Sequence, residues 1–244
     1  MIVEHVYPTA DELPENLLRF YIYFSKPMRP DTASRSILLA DEDGNEIDGA
    51  FLDTSDGLWS SDRRRLTVLL NPGRIKSGLE ASTAMGPAIK EGGRYSVEIA
   101  ADAEAMDGSM LAEPYVKIFE VLGPDRRSPR PERWTLSEPR LGSLDPLTVL
   151  LDESVDHASL AYRIRVVDAL GGVVPGRVAI QQQEQRWVFT PGESWAAGDY
   201  ALRVDHKLED LAGNRPDRLF EQRDRNAPRA AAHQIPIRTV PISK

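Results

Sequence analysis

The chain has 244 residues, enough for two domains of roughly 100 residues that each bury a core of their own. It contains no cysteine, which excludes disulfides, thiolate metal sites and cysteine nucleophiles. The formal net charge of −8 argues against a nucleic-acid-binding protein, because such proteins carry a basic surface.

The sequence carries no sign of a membrane helix or of a signal peptide. No apolar run approaches the roughly 20 residues that a membrane helix needs. The first residues, Met1 to Val6, lack the basic segment followed by an apolar one that defines a signal peptide. We therefore expect either a cytosolic protein or an exported one whose signal or anchor has been removed.

Short segments with β-strand patterns, separated by turn residues, follow one another through the first half of the chain. Strands are predicted at residues 2–7, 17–24, 36–40, 46–52, 66–70, 94–100 and 115–122. Residues 9–16 are predicted to be a loop, because they are polar and include Pro14. Pro27 prevents the strand at 17–24 from continuing as a helix or a central strand.

Turn and helix signals complete this half of the chain. Asp41-Glu42-Asp43-Gly44-Asn45 carries the Asp-Gly signature of a hairpin, in which glycine supplies a positive φ. Helix signals are confined to residues 101–106 and 75–90. The sequence of this half therefore predicts an all-β domain.

The second half repeats the order of these segments. The corresponding pairs are 17–28 with 146–154, 36–52 with 163–180, 65–73 with 186–192, 93–99 with 198–204, and 105–108 with 210–214. Many short strands at a spacing of roughly 8–12 residues, with turn residues between them, are typical of a β-sandwich. The sequence therefore predicts two tandem antiparallel β-sandwich domains.

The boundary between the two halves is rich in proline and charge. We predict a first domain at residues 1–123, with an insertion at 75–90 that the second domain lacks. A linker follows at 124–132, and the second domain spans 133–244. Residues 222–244 form either an edge strand or a loose tail, and their alternation favours the strand, in which Pro236 is tolerated.

The repeat resembles the bacterial immunoglobulin-like (Ig-like) domains of surface-layer and large exported proteins. The resemblance rests on the strand end Phe24-Ser25-Lys26-Pro27-Met28, the hairpin Asp43-Gly44-Asn45 and the closing turn Asp210-Leu211-Ala212-Gly213-Asn214. The second half departs from the pattern at Asp152-Glu153-Ser154, and the first has no asparagine after Gly108. The resemblance implies an Ig-like fold and a spacer, adhesion or accessory module in the periplasm or at the cell surface, without catalytic residues.

The acidic hairpin is the sequence's candidate for a metal site. Asp41, Asp43, Asn45 and Asp48 place oxygen ligands at alternating positions, as a calcium loop does. An EF-hand loop needs glycine at its sixth position and glutamate at its twelfth, and these positions are not met here. A plain hairpin turn is the favoured interpretation, and the sequence leaves calcium binding between Asp41 and Asp48 open.

A candidate binding surface is predicted where the two domains differ. Trp59 and Trp195 lie in predicted loops, and an exposed tryptophan can stack on a sugar or anchor a partner protein. Packing against the end of the sandwich is the favoured alternative for both rings. Lys76 and Lys90 belong to the insertion found in only one repeat, and loops on a rigid scaffold often carry function.

No catalytic, cofactor or metal residues are predicted. The expected function is therefore a non-catalytic structural or binding module outside the cytoplasm, whose partner is another protein or a cell-surface polymer. The alternative is an accessory module that holds a carbohydrate or a protein for an enzyme system.

Overall fold

The computed structural model describes residues 1–33, 35–54, 57–71, 73, 86–220 and 231–241. The chain divides into two compact units, Met1–Asp125 and Arg126–Lys244, called unit 1 and unit 2 below. In the described residues, no helix is both long and apolar enough to span a membrane.

Unit 1 is a sandwich of two four-stranded sheets. Its elements are β1 (Val3–Tyr7), β2 (Glu12–Pro14), β3 (Arg19–Phe24), α1 (Pro30–Ala33), β4 (Ile37–Asp41), β5 (Leu58–Trp59), β6 (Arg65–Leu69), β7 (Arg94–Ile99) and β8 (Tyr115–Leu122). One sheet has the order β1-β3-β6-β5 and the other β2-β8-β7-β4. Phe20, Ile22 and Phe24 of β3 are fully buried and form the centre of the core.

Unit 2 has a four-stranded and a three-stranded sheet. Its elements are β9 (Thr135–Leu136), β10 (Leu147–Leu150), α2 (His157–Arg163), β11 (Ile164–Asp168), β12 (Gly176–Gln181), β13 (Arg186–Pro191), β14 (Tyr200–Val204) and β15 (His233–Ile237), and a short 3₁₀ turn at Pro131–Arg133 precedes them. The sheets have the orders β12-β13-β10-β9 and β11-β14-β15. Trp187, Phe189 and Trp195 lie in its core.

Both units have the strand order of an Ig domain. In that order the first, second, fifth and fourth strands share one sheet, and the third, sixth and seventh share the other. Unit 1 matches it, with the short β2 added in parallel beside the last strand, β8. Unit 2 matches it too, and a single parallel bridge between Arg140 and Val240 stands where unit 1 has β2. The predicted fold, all-β with two Ig-like antiparallel sandwiches, is confirmed.

The pairing register is the same in the two units. Tyr21 lies opposite Thr67, just as Thr148 lies opposite Val188 in unit 2. In the other sheet, β4 pairs with β7 from Ile37–Ile99 to Asp41–Tyr95, and β11 pairs with β14 from Ile164–Val204 to Asp168–Tyr200. The sequence repeat is therefore a repeat of backbone hydrogen bonding.

Each unit also holds a tyrosine at the start of its sixth strand whose hydroxyl binds the preceding chain. Tyr95 Oη accepts the backbone N–H of Lys90 at 3.1 Å, and Tyr200 Oη accepts that of Ala196 at 3.2 Å. A tyrosine that ties the corner before this strand is a hallmark of Ig-like sandwiches. This detail supports the assignment independently of strand order.

One type of turn, Asp-x-x-Gly, recurs three times. It begins at Asp41, Asp168 and Asp210, and in each the aspartate Oδ1 accepts the backbone N–H groups of the second and fourth following residues at 2.8–3.1 Å. The glycine has φ near +80° in all three, a conformation that favours glycine. The hairpin motif and the closing-turn motif of the sequence therefore fold into the same type of turn.

Several predicted elements were wrong. Residues 9–16 include the short strand β2 instead of being only a loop. Residues 46–52 form no strand and pair only through the isolated bridges Glu46–Ala40 and Phe51–Leu70, because the chain crosses here from one sheet to the other. Residues 101–106 form a turn and bridges instead of a helix.

The segments that distinguish the two halves are only partly described. In the predicted insertion, residues 75–85 lie outside the described residues, and 86–90 contain no helix. Between 222 and 244, the strand β15 pairs with β14 at the edge of its sheet. Pro236 lies within β15, opposite Ala201.

Candidate binding surface

In unit 1, the sheet β2-β8-β7-β4 presents aliphatic side chains on its outer face. Along β8, inward and outward side chains alternate, as the pleat of a strand requires. Lys117, Phe119 and Val121 point inward and are buried, whereas Val116, Ile118 and Leu122 are 51%, 50% and 49% exposed. We call Val116 and Ile118, with the β7 residues Ser96 and Glu98 beside them, the β8 face.

Polar groups border this aliphatic row. The register places Glu98 opposite Val116, Ser96 opposite Ile118 and Arg94 opposite Glu120. The Ser96 hydroxyl donates a hydrogen bond to Glu98 Oε1 at 2.8 Å, which orients that carboxylate. A shallow depression of about 500 Å³ lies over these strands and extends to the turn at Gly44. The β8 face is thus a short aliphatic strip with polar and charged residues beside it.

Unit 2 presents different side chains at the same backbone positions. Tyr115 pairs with Ile99 as His233 pairs with Val204, so Val116 corresponds to Gln234 and Ile118 to Pro236. The exposed aliphatic row is therefore a property of unit 1 and does not follow from the fold that both units share.

A buried lysine supports the β8 face from beneath. Lys117 points inward, and its Nζ donates hydrogen bonds to the backbone carbonyls of Thr9 at 3.3 Å and Ala10 at 3.0 Å. These bonds hold the chain between β1 and β2, so that β2 can pair with the edge of β8. In the sequence, a lysine at an inward position of an otherwise apolar alternation indicates such a buried, hydrogen-bonded side chain.

The two tryptophans of the predicted binding surface have different environments. Trp59 lies in the short strand β5 instead of a loop, and its ring packs 5.9 Å from that of Phe24. It is half-buried, and its Nε1 is buried without a hydrogen-bond partner among the described residues. A cleft of about 440 Å³ is lined in part by Phe51, Leu66 and Leu69, and Leu66 is the β6 residue opposite Trp59.

Trp195 is a core residue and not part of an open surface. It is only 2% exposed, and its Nε1 donates a hydrogen bond to the carbonyl of Asp145 at 2.8 Å. Its ring meets that of Tyr200 edge to face at 5.0 Å. The packed position that the sequence favoured for this ring is the one observed, and a neighbouring loop supplies the acceptor that allows the indole to be buried.

Of the two lysines in the predicted surface, the structure describes only Lys90. Lys90 is exposed and lies next to the tyrosine corner formed by Tyr95. Lys76 lies outside the described residues. The structure therefore places Trp59 and Lys90 in unit 1 and gives no contact between them.

The acidic hairpin uses its carboxylate internally. The backbone N–H of Asn45 and the Asn45 amide group donate to Asp41, and they hold the pKa of Asp41 below its usual value. A carboxylate that already accepts these bonds has few lone pairs left for a cation. Among the described residues, no group of three or more His, Asp or Glu side chains could hold a metal ion.

Comparisons with known proteins add little to this picture. No family model and no curated protein matches the chain. Solved structures that align with it include a chimeric titin Z1Z2 with a decorin-derived peptide (12% identity, 100% of both chains, TM-score 0.31). Others are domains 1–6 of the surface layer protein SbsC (11%, 97% of this chain and 25% of that one, 0.33) and the N-terminal four Ig domains of Dscam1 isoform 6.44 (10%, 94% and 48%, 0.31). These scores are too low to support an argument, so the Ig-like assignment rests on strand order, register and the tyrosine corners.

Proposed function

We propose that the chain is a non-catalytic binding module that holds another protein against the β8 face of unit 1. The observation that supports this proposal is the exposure of Val116 and Ile118 at positions where unit 2 has Gln234 and Pro236. Water-facing positions of an antiparallel sheet are usually polar, and adjacent exposed aliphatic residues are a common mark of an interaction surface.

The chemistry of the β8 face favours a protein over a carbohydrate. Sugars stack on aromatic rings, and the β8 face carries none, since it consists of Val116, Ile118, Ser96 and Glu98. An aliphatic strip bordered by Glu98 and Arg94 suits a protein surface with apolar residues at its centre and charges at its rim. The alternative of an accessory module for carbohydrate is therefore the weaker one.

An extracytoplasmic location in a bacterium belongs to the same proposal. Its support is the resemblance of the strand-end and turn motifs to the Ig-like domains of surface-layer and exported proteins. The Asp210-x-x-Gly213-Asn214 turn, which carries that resemblance, is built around a buried aspartate in unit 2. Detection of the protein in periplasmic or surface fractions of its host would test this part.

The cleft beside Trp59 is a second candidate surface. Its support is the buried Trp59 Nε1, which finds no partner among the described residues, and the open volume lined by Leu66, the residue opposite Trp59. We therefore retain, as a second proposal, the surface predicted from the sequence around Trp59 and Lys90. Its remaining lysine, Lys76, lies outside the described residues.

Site-specific photo-cross-linking tests the β8 face. A photoreactive residue replaces Ile118 in the full chain in its native host, and Leu150 serves as the control position. Leu150 is similarly exposed, at 46% against 50%, but lies on β10 of unit 2. We expect one defined protein adduct at position 118 that is missing at 150. The adduct partner, once purified, should bind Ile118→Glu at least about tenfold more weakly than the wild type, since a charge would enter an apolar contact.

The opposite results would refute the proposal. They are the same adducts at both positions, or an adduct partner whose affinity does not change when Ile118 is replaced by glutamate. An adduct that forms only with a residue introduced at Trp59 would transfer the binding function to the cleft.

A further inference from the structure

The strand β12 of unit 2 has a free edge whose hydrogen-bonding groups can be identified from its pairing with β13. The backbone N–H of Gly192 donates to the carbonyl of Pro175 at 2.9 Å, so this pair is hydrogen-bonded. Hydrogen-bonded and non-hydrogen-bonded pairs alternate along an antiparallel ladder. The next pair, Gly176 with Pro191, is therefore not hydrogen-bonded, which is compatible with Pro191 because proline has no N–H.

This alternation fixes the direction of every backbone group of β12. Arg177, Ala179 and Gln181 bond to β13, and Gly176, Val178 and Ile180 direct their N–H and C=O groups away from it. None of the last three forms a hydrogen bond in the part of the chain that the structure describes. Five of the six residues of β12 are exposed, including Val178 at 41%.

The other sheet edges carry features that limit the addition of a further strand. β1 has an irregular register between Val3 and His5, and β5 and β9 are only two residues long. β2 ends at Pro14, and β15 contains Pro236, which lacks an N–H. The edges of β4 and β11 are covered by the bridges Ala40–Glu46 and Val167–Val173. Among the described strands, β12 is the longer edge strand that carries no bulge, proline or bridge, although the short helix α2 packs against it.

We propose that two copies of the chain associate by pairing their β12 strands antiparallel, edge to edge, about a two-fold axis at Val178. With that axis, Val178 pairs with Val178 of the second copy, and Gly176 pairs with Ile180. Each of the three outward residues then exchanges its N–H and C=O with the second copy. A closed contact of one surface with itself is the commonest form of protein dimer.

The side chains support this register over its neighbours. An axis at Val178 places Arg177 opposite Ala179 of the second copy, so that no like charges face each other. An axis at Arg177 would place two guanidinium groups directly opposite, which is unfavourable. An axis at Ala179 would leave Gly176 opposite residue 182, where the strand has ended and the backbone has a φ of +52°. The axis at Val178 therefore satisfies the most backbone groups at the least electrostatic cost.

Proline at position 178 tests the backbone contact. The N–H of Val178 does not contribute to the ladder with β13, and proline is tolerated on edge strands, so Val178→Pro should keep the fold. Sedimentation velocity of the full chain over a concentration series should show a monomer–dimer equilibrium for the wild type. We expect Val178→Pro to weaken the dimer by about tenfold or more, whereas the control Val178→Thr, which keeps the N–H and the branched shape, stays close to the wild type.

Charge variants test the register, and they remain informative if the proline variant fails to fold. Ala179→Lys would place a lysine opposite Arg177 of the second copy, and we expect it to weaken the dimer most at low salt. Adding Arg177→Glu to Ala179→Lys would make that pair attractive and should restore the dimer. Arg177→Glu alone should have little effect. A wild type that stays monomeric, a dimer insensitive to both Val178→Pro and Ala179→Lys, or a double variant that is not restored would overturn the proposal.

Discussion

Asp210 organises the closing turn of unit 2 from a buried position. It is 1% exposed, and its carboxylate accepts the backbone N–H groups of Ala212 and Asn214 and the Asn214 side-chain amide, at 2.8 to 2.9 Å. Asp41 makes the same backbone bonds in unit 1 at a partly exposed position. Because the backbone hydrogen bonds are the same, a comparison of Asp210 with Asp41 isolates the effect of burial on the stability of the turn.

We predict that Asp210→Ala lowers the free energy of unfolding by about 2–3 kcal/mol, because it leaves buried N–H groups without an acceptor. Asp41→Ala should cost clearly less than Asp210→Ala, since water can replace its carboxylate at this more exposed turn. Urea unfolding of the two variants measures the difference. Equal losses would show that burial of the turn at Asp210 contributes nothing.

Asp145 links the stability of unit 2 to pH. The Arg140 guanidinium donates to its carboxylate at 2.7 and 3.0 Å, and this interaction holds the pKa of Asp145 well below its usual range. A carboxyl group with a lowered pKa in the folded state stabilises the fold above the pKa of the unfolded chain, about 3.9. That contribution is lost as the pH falls below this value.

We predict that Asp145→Asn makes stability depend less steeply on pH below about 4 than it does in the wild type. Thermal or urea unfolding at a series of acidic pH values measures the slope, and Glu193→Gln, on the exposed loop after β13, controls for the loss of one negative charge. A slope unchanged by Asp145→Asn, or changed equally by Glu193→Gln, would contradict the role assigned to this ion pair.

At the scale of elements, β12 and β13 pack closely enough to require glycine at position 176. A Cβ built there would lie 2.3 Å from the ring of Phe189 and 2.6 Å from the carbonyl of Thr190. At Gly192, on the same ladder, the nearest atom to an added Cβ is 3.4 Å away. The requirement therefore comes from the Phe189 ring and the Thr190 backbone at one position of the ladder.

We predict that Gly176→Ala destabilises the protein by about 1–3 kcal/mol through overpacking. Gly192→Ala, the matched control, should change stability by no more than about 0.5 kcal/mol. Differential scanning calorimetry or urea unfolding distinguishes the two. A neutral Gly176→Ala variant would show that Phe189 can move aside at no cost.

The elements that the sequence predicts well are those in which apolar alternation and turn residues coincide. The strand at 115–122 was predicted with both of its ends correct. Residues 46–52 share such a pattern, but they cross between sheets, and only tertiary contacts decide that. The helix α2 was missed because its seven residues are too short to show a helical period, although Asp156 caps it by accepting the N–H of Ser159.

At the scale of the whole molecule, the candidate surface was harder to predict than the fold. The outward residues Val116 and Ile118 alternate with the inward Phe119 and Val121, and both sets are apolar. Hydrophobicity alone therefore does not show which set faces water. The burial of Trp195 depends on the carbonyl of Asp145, which lies far from it in the chain. Such contacts are visible only after the strands are assembled.

Every surface described above depends on the strand order that the two units share. Its defining feature is the pairing of the second strand with the fifth, which places Thr148 opposite Val188 in a non-hydrogen-bonded pair of unit 2. The same register places Tyr21 opposite Thr67 in unit 1. The Cα atoms of such a pair are close enough for a disulfide, and the chain has no cysteine of its own to interfere.

The most direct test is therefore to count free thiols by mass spectrometry after mild oxidation of the double variant Thr148→Cys, Val188→Cys. We predict complete formation of one intrachain disulfide in the folded protein. In the shifted variant Thr148→Cys, Arg186→Cys, the same oxidation should leave both thiols free. A reduced first variant, or equal oxidation of the two, would contradict the strand order on which this account is built.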